Sequence, residues 1–116
     1  MRNQVLGLTS DLRFYFYQTP IKMNLGIQGL VGIIINELNR DPRNGDVYIF
    51  VSRSRKVIKL LHYKNYSFTL YIRKIYHGCF AYPYHNRETD AFYMDWPRFR
   101  RLLNGYGMIE NNHIII

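Results

Sequence analysis

The chain has 116 residues and a mass of 14.0 kDa, enough for one domain with one hydrophobic core. Its single cysteine excludes an internal disulfide and therefore a secreted disulfide scaffold. Sixteen Lys and Arg against eight Asp and Glu give a net charge of +8, which favours polyanionic partners. The sequence shows neither a long apolar run nor a signal-peptide pattern, so we expect a cytoplasmic protein without a membrane partner.

The first predicted elements are a strand and a helix. Apolar residues alternate along Leu12–Tyr17, which is the period of a strand. From Gly26 the apolar residues follow helical spacing as far as Leu38, and Asn39–Asp41 before Pro42 ends this helix. Its many β-branched residues lower the intrinsic helix propensity, so we expect packing to hold it.

Four further strands are predicted in the middle of the chain. The wholly apolar Val47–Val51 indicates a strand covered on both faces, and Val57–Tyr63 and Ser67–Tyr76 follow it. Cys79–Tyr82 predicts a short strand, and the polar Tyr84–Ala91 predicts a loop. Because the connections are short, neighbouring strands are expected to be antiparallel.

A second helix is predicted after Asp95, which is a good N-cap for it. Its apolar stripe consists of Phe99, Leu102 and Leu103, and Gly105 is a suitable residue to end it. The fold class expected from these elements is α+β: an antiparallel β-meander of about four or five strands packed with two helices.

The whole chain, 1–116, is expected to form a single domain. Its two ends, 1–10 and 108–116, are expected to be flexible or loosely docked, because chain ends are often poorly ordered.

The positive charge is concentrated in one segment. Between Val47 and Arg87 there is no acidic residue, whereas the rest of the chain holds as many acidic as basic residues. The basic residues of this segment are Arg53, Arg55, Lys56, Lys59, Lys64, Arg73, Lys74 and Arg87. Such a concentration favours a polyanion as partner, and the alternative is that these charges only keep strands soluble and guard their edges.

Tyrosines are interleaved with these charges. A sheet face that carries both can bind single-stranded nucleic acid, because bases stack on the rings and phosphates contact the cations. The alternative is that tyrosine is simply a good strand residue that pairs across strands. Tyr71 and Arg73 are expected on one face of one strand, which makes them the first pair to test.

Metal sites and catalytic centres have little support. His77 and Cys79 are two residues apart, but Gly78 turns the chain between them and the sequence offers no second close pair for a metal. The carboxylates near the last helix include Asp95, which the N-cap already explains. No phosphate-binding loop, nucleophile elbow or Cys-x-x-Cys motif occurs. We therefore expect no enzyme, no cofactor and no metal.

Several spaced segments carry a resemblance to a known family. They are Asp41-Pro42, Asn44 to Phe50, Arg53-Ser54-Arg55, Ile58 to Leu61, Leu70-Tyr71, Gly78, Phe80 and Tyr82-Pro83, followed by Trp96, Phe99, Leu102, Leu103 and Gly105 in the closing helix. In this order they resemble the TnpB accessory protein, the second-open-reading-frame product, of insertion-sequence family sixty-six. The resemblance covers roughly Leu8 to Gly105.

The resemblance implies an auxiliary protein of a DNA transposon that acts beside a separate, larger transposase. It supplies no catalytic residues. By position, the family's basic residues match Arg53, Arg55 and Lys59, and a second pair matches Arg73 and Lys74. DNA and the transposase are the partners that it implies.

The chain also departs from the family pattern. The family commonly has Asp-Met-Arg where this chain has Lys22-Met23-Asn24, and an acidic turn with glycine where it has Lys64 to Ser67. It has Trp-Pro where this chain has Tyr82-Pro83. Two of these departures remove acidic residues and add to the positive charge.

Two functions of different class follow. The first is a DNA-binding accessory factor that uses basic residues mainly on phosphates. Its predicted nucleic-acid-binding residues are Arg53, Arg55, Lys56, Lys59, Tyr71, Arg73 and Lys74. The second is a protein-interaction module that docks on the transposase or on itself through the tyrosine-rich sheet or an edge strand. Because Arg and Tyr are enriched at both kinds of interface, the sequence leaves both hypotheses open.

Overall fold

The computed structural model describes residues 4–5, 7–80, 91–103, 108–110 and 113–115. The strands are β1 (Gln4–Val5), β2 (Leu8–Thr9), β3 (Phe14–Tyr17), β4 (Val47–Val51), β5 (Val57–Lys64), β6 (Ser67–Lys74), β7 (Ala91–Met94), β8 (Met108–Glu110) and β9 (His113–Ile115). The helices are α1 (Ile27–Asn36) and α2 (Trp96–Leu103). Neither helix in these ranges has the length and hydropathy needed to span a bilayer.

The main sheet has five strands in the order β6-β5-β4-β3-β7. Strands β4, β5 and β6 form the predicted antiparallel meander, and β7 is antiparallel to β3. Strand β3 runs parallel to β4, and α1 lies in the crossover between them, which a parallel pair requires. The described chain is thus an α+β fold with two helices and a mostly antiparallel five-stranded sheet, which confirms the predicted fold class.

The fifth strand of the main sheet is β7, which lies in a segment where the sequence predicted no strand. Cys79 forms only an isolated bridge and Phe80 is irregular, whereas Ala91, predicted as loop, begins β7. The remainder of the predicted strand and loop, 81–90, lies outside the described residues, as does Gly105. Strand β7 has only four residues and is specified by pairing with β3, which buries Phe92 and Met94.

Each face of the sheet is covered by one helix. Leu30 and Ile34 of α1 pack on one face, in a cluster that includes Tyr48 and Phe50 of β4. The stripe of α2 packs on the other face with the alternate residues of β4, so every β4 residue is buried, as predicted. Below, these are called the α1 face and the α2 face of the sheet.

The two helices begin in different ways. Asp95 caps α2 as predicted, because its carboxylate accepts a hydrogen bond of 2.9 Å from the Arg98 amide. Helix α1 follows Gly26 without a side-chain cap and has no acidic residue in its first turn. As expected from its composition, α1 therefore depends on the packing of its apolar side.

Candidate nucleic-acid interface

The β4–β5 turn and the end of β6 meet at one corner of the sheet. In the pairing of β5 with β6, Val57 lies opposite Lys74 and Ile58 lies opposite Arg73. The turn 53–56 that precedes β5 is therefore beside the last residues of the edge strand β6. We call the basic residues gathered here the basic corner: Arg53, Arg55, Lys56, Arg73 and Lys74.

Local hydrogen bonds fix the shape of the turn. The Ser52 amide donates to the Val57 carbonyl at 2.9 Å, and the Arg55 amide donates to the Ser52 carbonyl at 2.9 Å. The Ser52 hydroxyl also accepts from the Val57 amide at 3.2 Å. Arg55 has a φ of 60°, a left-handed conformation that is costly for a residue with a Cβ. The turn thus keeps an arginine in a conformation that glycine would adopt more easily.

The chain after β6 folds back over this turn. The Ile75 amide donates to the Lys56 carbonyl at 2.9 Å, and the Phe80 amide donates to the Arg55 carbonyl at 2.6 Å. The Lys56 ammonium donates to the Gly78 carbonyl at 2.6 Å, so this cation is partly used within the corner. Tyr76, 89% exposed, is the one large aromatic side chain beside the corner that is almost fully open to solvent among the described residues.

The pair Tyr71 and Arg73 shares the α2 face of β6, as predicted. Tyr71 is half-buried, however, and packs against the hydrophobic cluster of that face. The Arg73 guanidinium donates to the backbone carbonyl of Leu103, the last residue of α2, where a cation also complements the helix dipole. The structure therefore joins Arg73 to α2 and packs the Tyr71 ring against the hydrophobic cluster of the α2 face.

Lys59 lies on the α1 face, as does the corner residue Lys74, which pairs with Val57 two positions before Lys59. It is only 5% exposed, and its ammonium donates to the Met23 carbonyl at 2.6 Å and to the Leu25 carbonyl at 2.5 Å. Burial lowers the pKa of Lys59, and the charge of Lys74 lowers it further. Its place between Ile58 and Leu60 in an apolar run is the sequence signal that could have indicated a buried lysine.

The positions of the described carboxylates in the sheet can be compared with the position of the corner. Those with described side chains are Asp11, Glu37, Asp41, Asp46 and Asp95. Asp11 precedes β3, Asp41 and Asp46 precede β4, and Asp95 follows β7; all of these places are at the end of the sheet opposite to the end of β4. Glu37 follows α1 and accepts a hydrogen bond from the Tyr17 hydroxyl. In this part of the chain the corner therefore concentrates positive charge without a carboxylate.

At the opposite end of the sheet Arg40 is surrounded by acceptors. Its guanidinium donates to Asp46 at 2.6 Å, to the Tyr48 hydroxyl at 3.2 Å and to the Tyr93 hydroxyl at 2.8 Å, and it lies 4.4 Å from the centre of the Tyr15 ring. Burial alone would lower the pKa of Arg40, but the hydrogen bonds to Tyr48 and Asp46 raise it. These tyrosines are therefore part of a structural network.

The structure adds basic residues that the sequence analysis did not select. Ile21 exchanges backbone hydrogen bonds with Val51 and Arg53, which places the exposed Lys22 beside the corner. Arg100 and Arg101 are exposed on the last turn of α2. The sequence could have indicated their exposure, because they lie between the buried residues Phe99 and Leu102 of the apolar stripe of α2. Within the described ranges no three His, Cys, Asp or Glu side chains come together as a metal site.

Comparison with known proteins identifies a family that covers most of the chain. A family model described as IS66 Orf2 like protein matches residues 12–113, a range that contains the main sheet, both helices and the basic corner. This confirms the resemblance carried by the spaced segments of the sequence. The comparisons with curated proteins and with solved structures returned no match.

Proposed function

This chain belongs to the IS66 Orf2-like protein family, and from that premise we propose that it assists transposition by binding DNA at the basic corner. The role is non-catalytic, and the chain acts beside the transposase of the same element. Contacts are made mainly with phosphates, which position a protein on DNA without reading its sequence directly.

The observation that carries the proposal is the segregation of charge. Five basic residues that are dispersed over 22 positions of sequence converge on one corner, and no described carboxylate accompanies them. A surface kept soluble by its charges would tolerate mixed signs, whereas a one-sign patch produces a field that attracts phosphates.

The corner residues differ in what they can offer to DNA. Arg53 and Lys74 are exposed and are the main phosphate contacts in this proposal, with the half-buried Arg55 between them. Lys56 and Arg73 hold neighbouring carbonyls and shape the corner. Lys59 and Tyr71 are left out of the contact surface, because one holds two backbone carbonyls and the other packs on the core.

The test is a fluorescence-anisotropy titration with a terminal-repeat duplex, a scrambled duplex and a single strand, each at about 50 and about 200 mM salt. The proposal predicts binding that weakens steeply with salt. The double substitution Arg53→Ala with Lys74→Ala is expected to weaken binding about ten-fold and to reduce the slope of log K against log salt by about 2.

The matched control removes the same charge at the other end of the sheet: Arg43→Ala with Lys64→Ala, where Lys64 belongs to the same acid-free segment of sequence. This control is expected to retain most of the affinity. Equal losses in both double variants would indicate a net-charge effect and reject the corner as the site. Absence of binding by the unchanged protein at low salt would reject DNA binding altogether.

A second candidate function is docking on the transposase, and the open edge of β6 favours it. In the described part of the chain, β6 pairs only with β5, so one row of its backbone groups is available to another strand. Ile72 is 56% exposed on this strand. Capture of the purified transposase without DNA, and its loss in an Ile72→Pro variant that still folds, would support this candidate; no capture would count against it.

A further inference from the structure

Helix α2 has an outer surface that consists largely of arginine. Its stripe of Phe99, Leu102 and Leu103 is buried, so the arginines between these residues lie on the sides and outer surface of the helix. Arg98 is half-buried and lies 5.1 Å from the centre of the Phe92 ring. Arg100 and Arg101 are exposed, and no carboxylate follows Asp95 in the helix.

The end of α2 is attached to the basic corner. The Leu103 carbonyl accepts the hydrogen bond from Arg73, which is itself a corner residue. Arg100 and Arg101 precede Leu103 by three and two residues, so their backbone is within about 5 Å of that carbonyl along the helix axis. The last turn of α2 is thus adjacent to Arg73, the corner residue on the α2 face, whereas Lys74 of the corner lies on the α1 face.

The described carboxylates do not interrupt this surface. Asp95 is at the beginning of α2, about 12 Å along the axis from Leu103. Asp11, Asp41 and Asp46 are at the opposite end of the sheet, and Glu37 accepts a hydrogen bond from Tyr17 on the α1 face. A general explanation for basic residues in a last helical turn is the helix dipole, but Arg73 already provides a cation at this carbonyl end.

We infer that Arg100 and Arg101 form the second half of the DNA-binding surface and that its ligand is the backbone of double-stranded DNA. This inference rests on the proposed function and extends it from the corner to α2. Cations on two elements, the sheet corner and the helix, suit phosphates held at fixed spacing on a stiff duplex. A surface for single strands would instead need several open aromatic rings for stacking.

The tyrosines support the choice of duplex. Tyr71 packs on the core, and Tyr15, Tyr48 and Tyr93 serve the Arg40 network. Tyr66 is exposed but lies in the β5–β6 turn, at the other end of β6 from the corner. Among the described residues this leaves Tyr76 as the one almost fully exposed ring beside the basic surface, too few to form a stacking platform.

The experiment compares Arg100→Ala with Arg101→Ala, as a double variant, against the Arg43→Ala and Lys64→Ala control. Alanine is a good helix former, so α2 is expected to persist, and thermal unfolding checks this. Anisotropy is measured with a duplex of about two helical turns and with a single strand of the same length. The expected result is about ten-fold weaker duplex binding and a salt slope reduced by about 2, with the control close to the unchanged protein.

The outcomes separate this inference from the proposed function. An unchanged duplex affinity and salt slope in the α2 double variant, together with a loss in the corner variant, would reject the role of α2 and retain the corner. Single-strand binding as tight as duplex binding would overturn the choice of ligand. If the unchanged protein binds neither form at low salt, the proposed function fails, and this inference fails with it.

Discussion

The ammonium of Lys59 lies 2.5 Å from the backbone carbonyl oxygen of Leu25, on the segment that leads into α1. The same ammonium also reaches the Met23 carbonyl. The sequence predicted Lys59 as a nucleic-acid-binding residue. In the structure it connects strand β5 to the segment that precedes helix α1. Its contribution is to folding, because a buried ammonium must be paired with acceptors and these part-buried carbonyls would lose their donor without it.

The first prediction concerns this lysine. The Lys59→Met variant keeps the aliphatic stem but leaves the carbonyls of Met23 and Leu25 without their donor. The free energy of unfolding is expected to fall by about 2 kcal/mol, while DNA binding by the folded fraction is unchanged. Urea unfolding and anisotropy at the same temperature measure the two effects. A loss of DNA affinity with unchanged stability would contradict this assignment.

The second prediction concerns Arg40. In the Arg40→Ala variant the nearly buried Asp46 loses its charged partner and the Tyr48 and Tyr93 hydroxyls lose a donor. The free energy of unfolding is expected to fall by about 3 kcal/mol. The control is Arg43→Ala, whose bond with Asp41 is long at 3.5 Å and exposed, and whose loss should cost about 0.5 kcal/mol or less. Equal losses in chemical denaturation would refute a special role for Arg40.

The third prediction concerns the pH dependence of stability through His62. Burial lowers the pKa of His62 from its ordinary value of 6.5, although its bond to the Gly45 carbonyl and the charge of Asp46 partly oppose this, and Lys64 lowers it further. Between the folded pKa and 6.5 the unfolded chain binds more protons, so the free energy of unfolding falls as the pH falls.

Below the pKa of His62 in the folded protein, this contribution to the free energy of unfolding is lost completely. Above the pKa of His62 in the unfolded chain, it is fully retained. His62→Gln removes this titration while keeping an amide donor for Gly45. Urea midpoints at about pH 7.5 and about pH 5.5 are therefore expected to differ more in the unchanged protein than in the variant. The same pH dependence in both proteins would show that other groups cause it.

The fourth prediction concerns the two-residue turn between β5 and β6. Asn65 and Tyr66 have φ values of 52° and 61°, as the hairpin turn between the paired Lys64 and Ser67 requires. Tyr66 is 96% exposed, so its side chain offsets little of the cost of a left-handed backbone.

Tyr66→Gly is therefore expected to raise the free energy of unfolding by about 1 kcal/mol. Asn65→Gly should gain less, because asparagine tolerates this conformation better. Thermal and urea unfolding of both variants measure the difference. Destabilisation by Tyr66→Gly would mean that the exposed ring makes a contribution that its burial does not reveal.

Much of the fold could be predicted because the signals are local. The cap at Asp95, the stripe of α2 and the burial of Val47–Val51 depend on neighbouring residues, and the structure has all of them. Strand β7 lacked such a signal, since its four residues are ordered by pairing with β3, which lies more than 70 positions earlier in the chain. The parallel pairing of β3 with β4 likewise depends on contacts between segments that are distant in the chain, with α1 between them.

The candidate site divides in the same way. The sequence by itself determined that positive charge is concentrated after Val47 and that Tyr71 and Arg73 share a face. Only the tertiary structure decided which cations are close together in space. In it Lys59 is buried, Arg73 binds the Leu103 carbonyl, and Arg100 and Arg101 lie near Arg73 of the corner. The reason is physical, because a residue's type and spacing define its face on an element, whereas its exposure and partners depend on the elements packed against it.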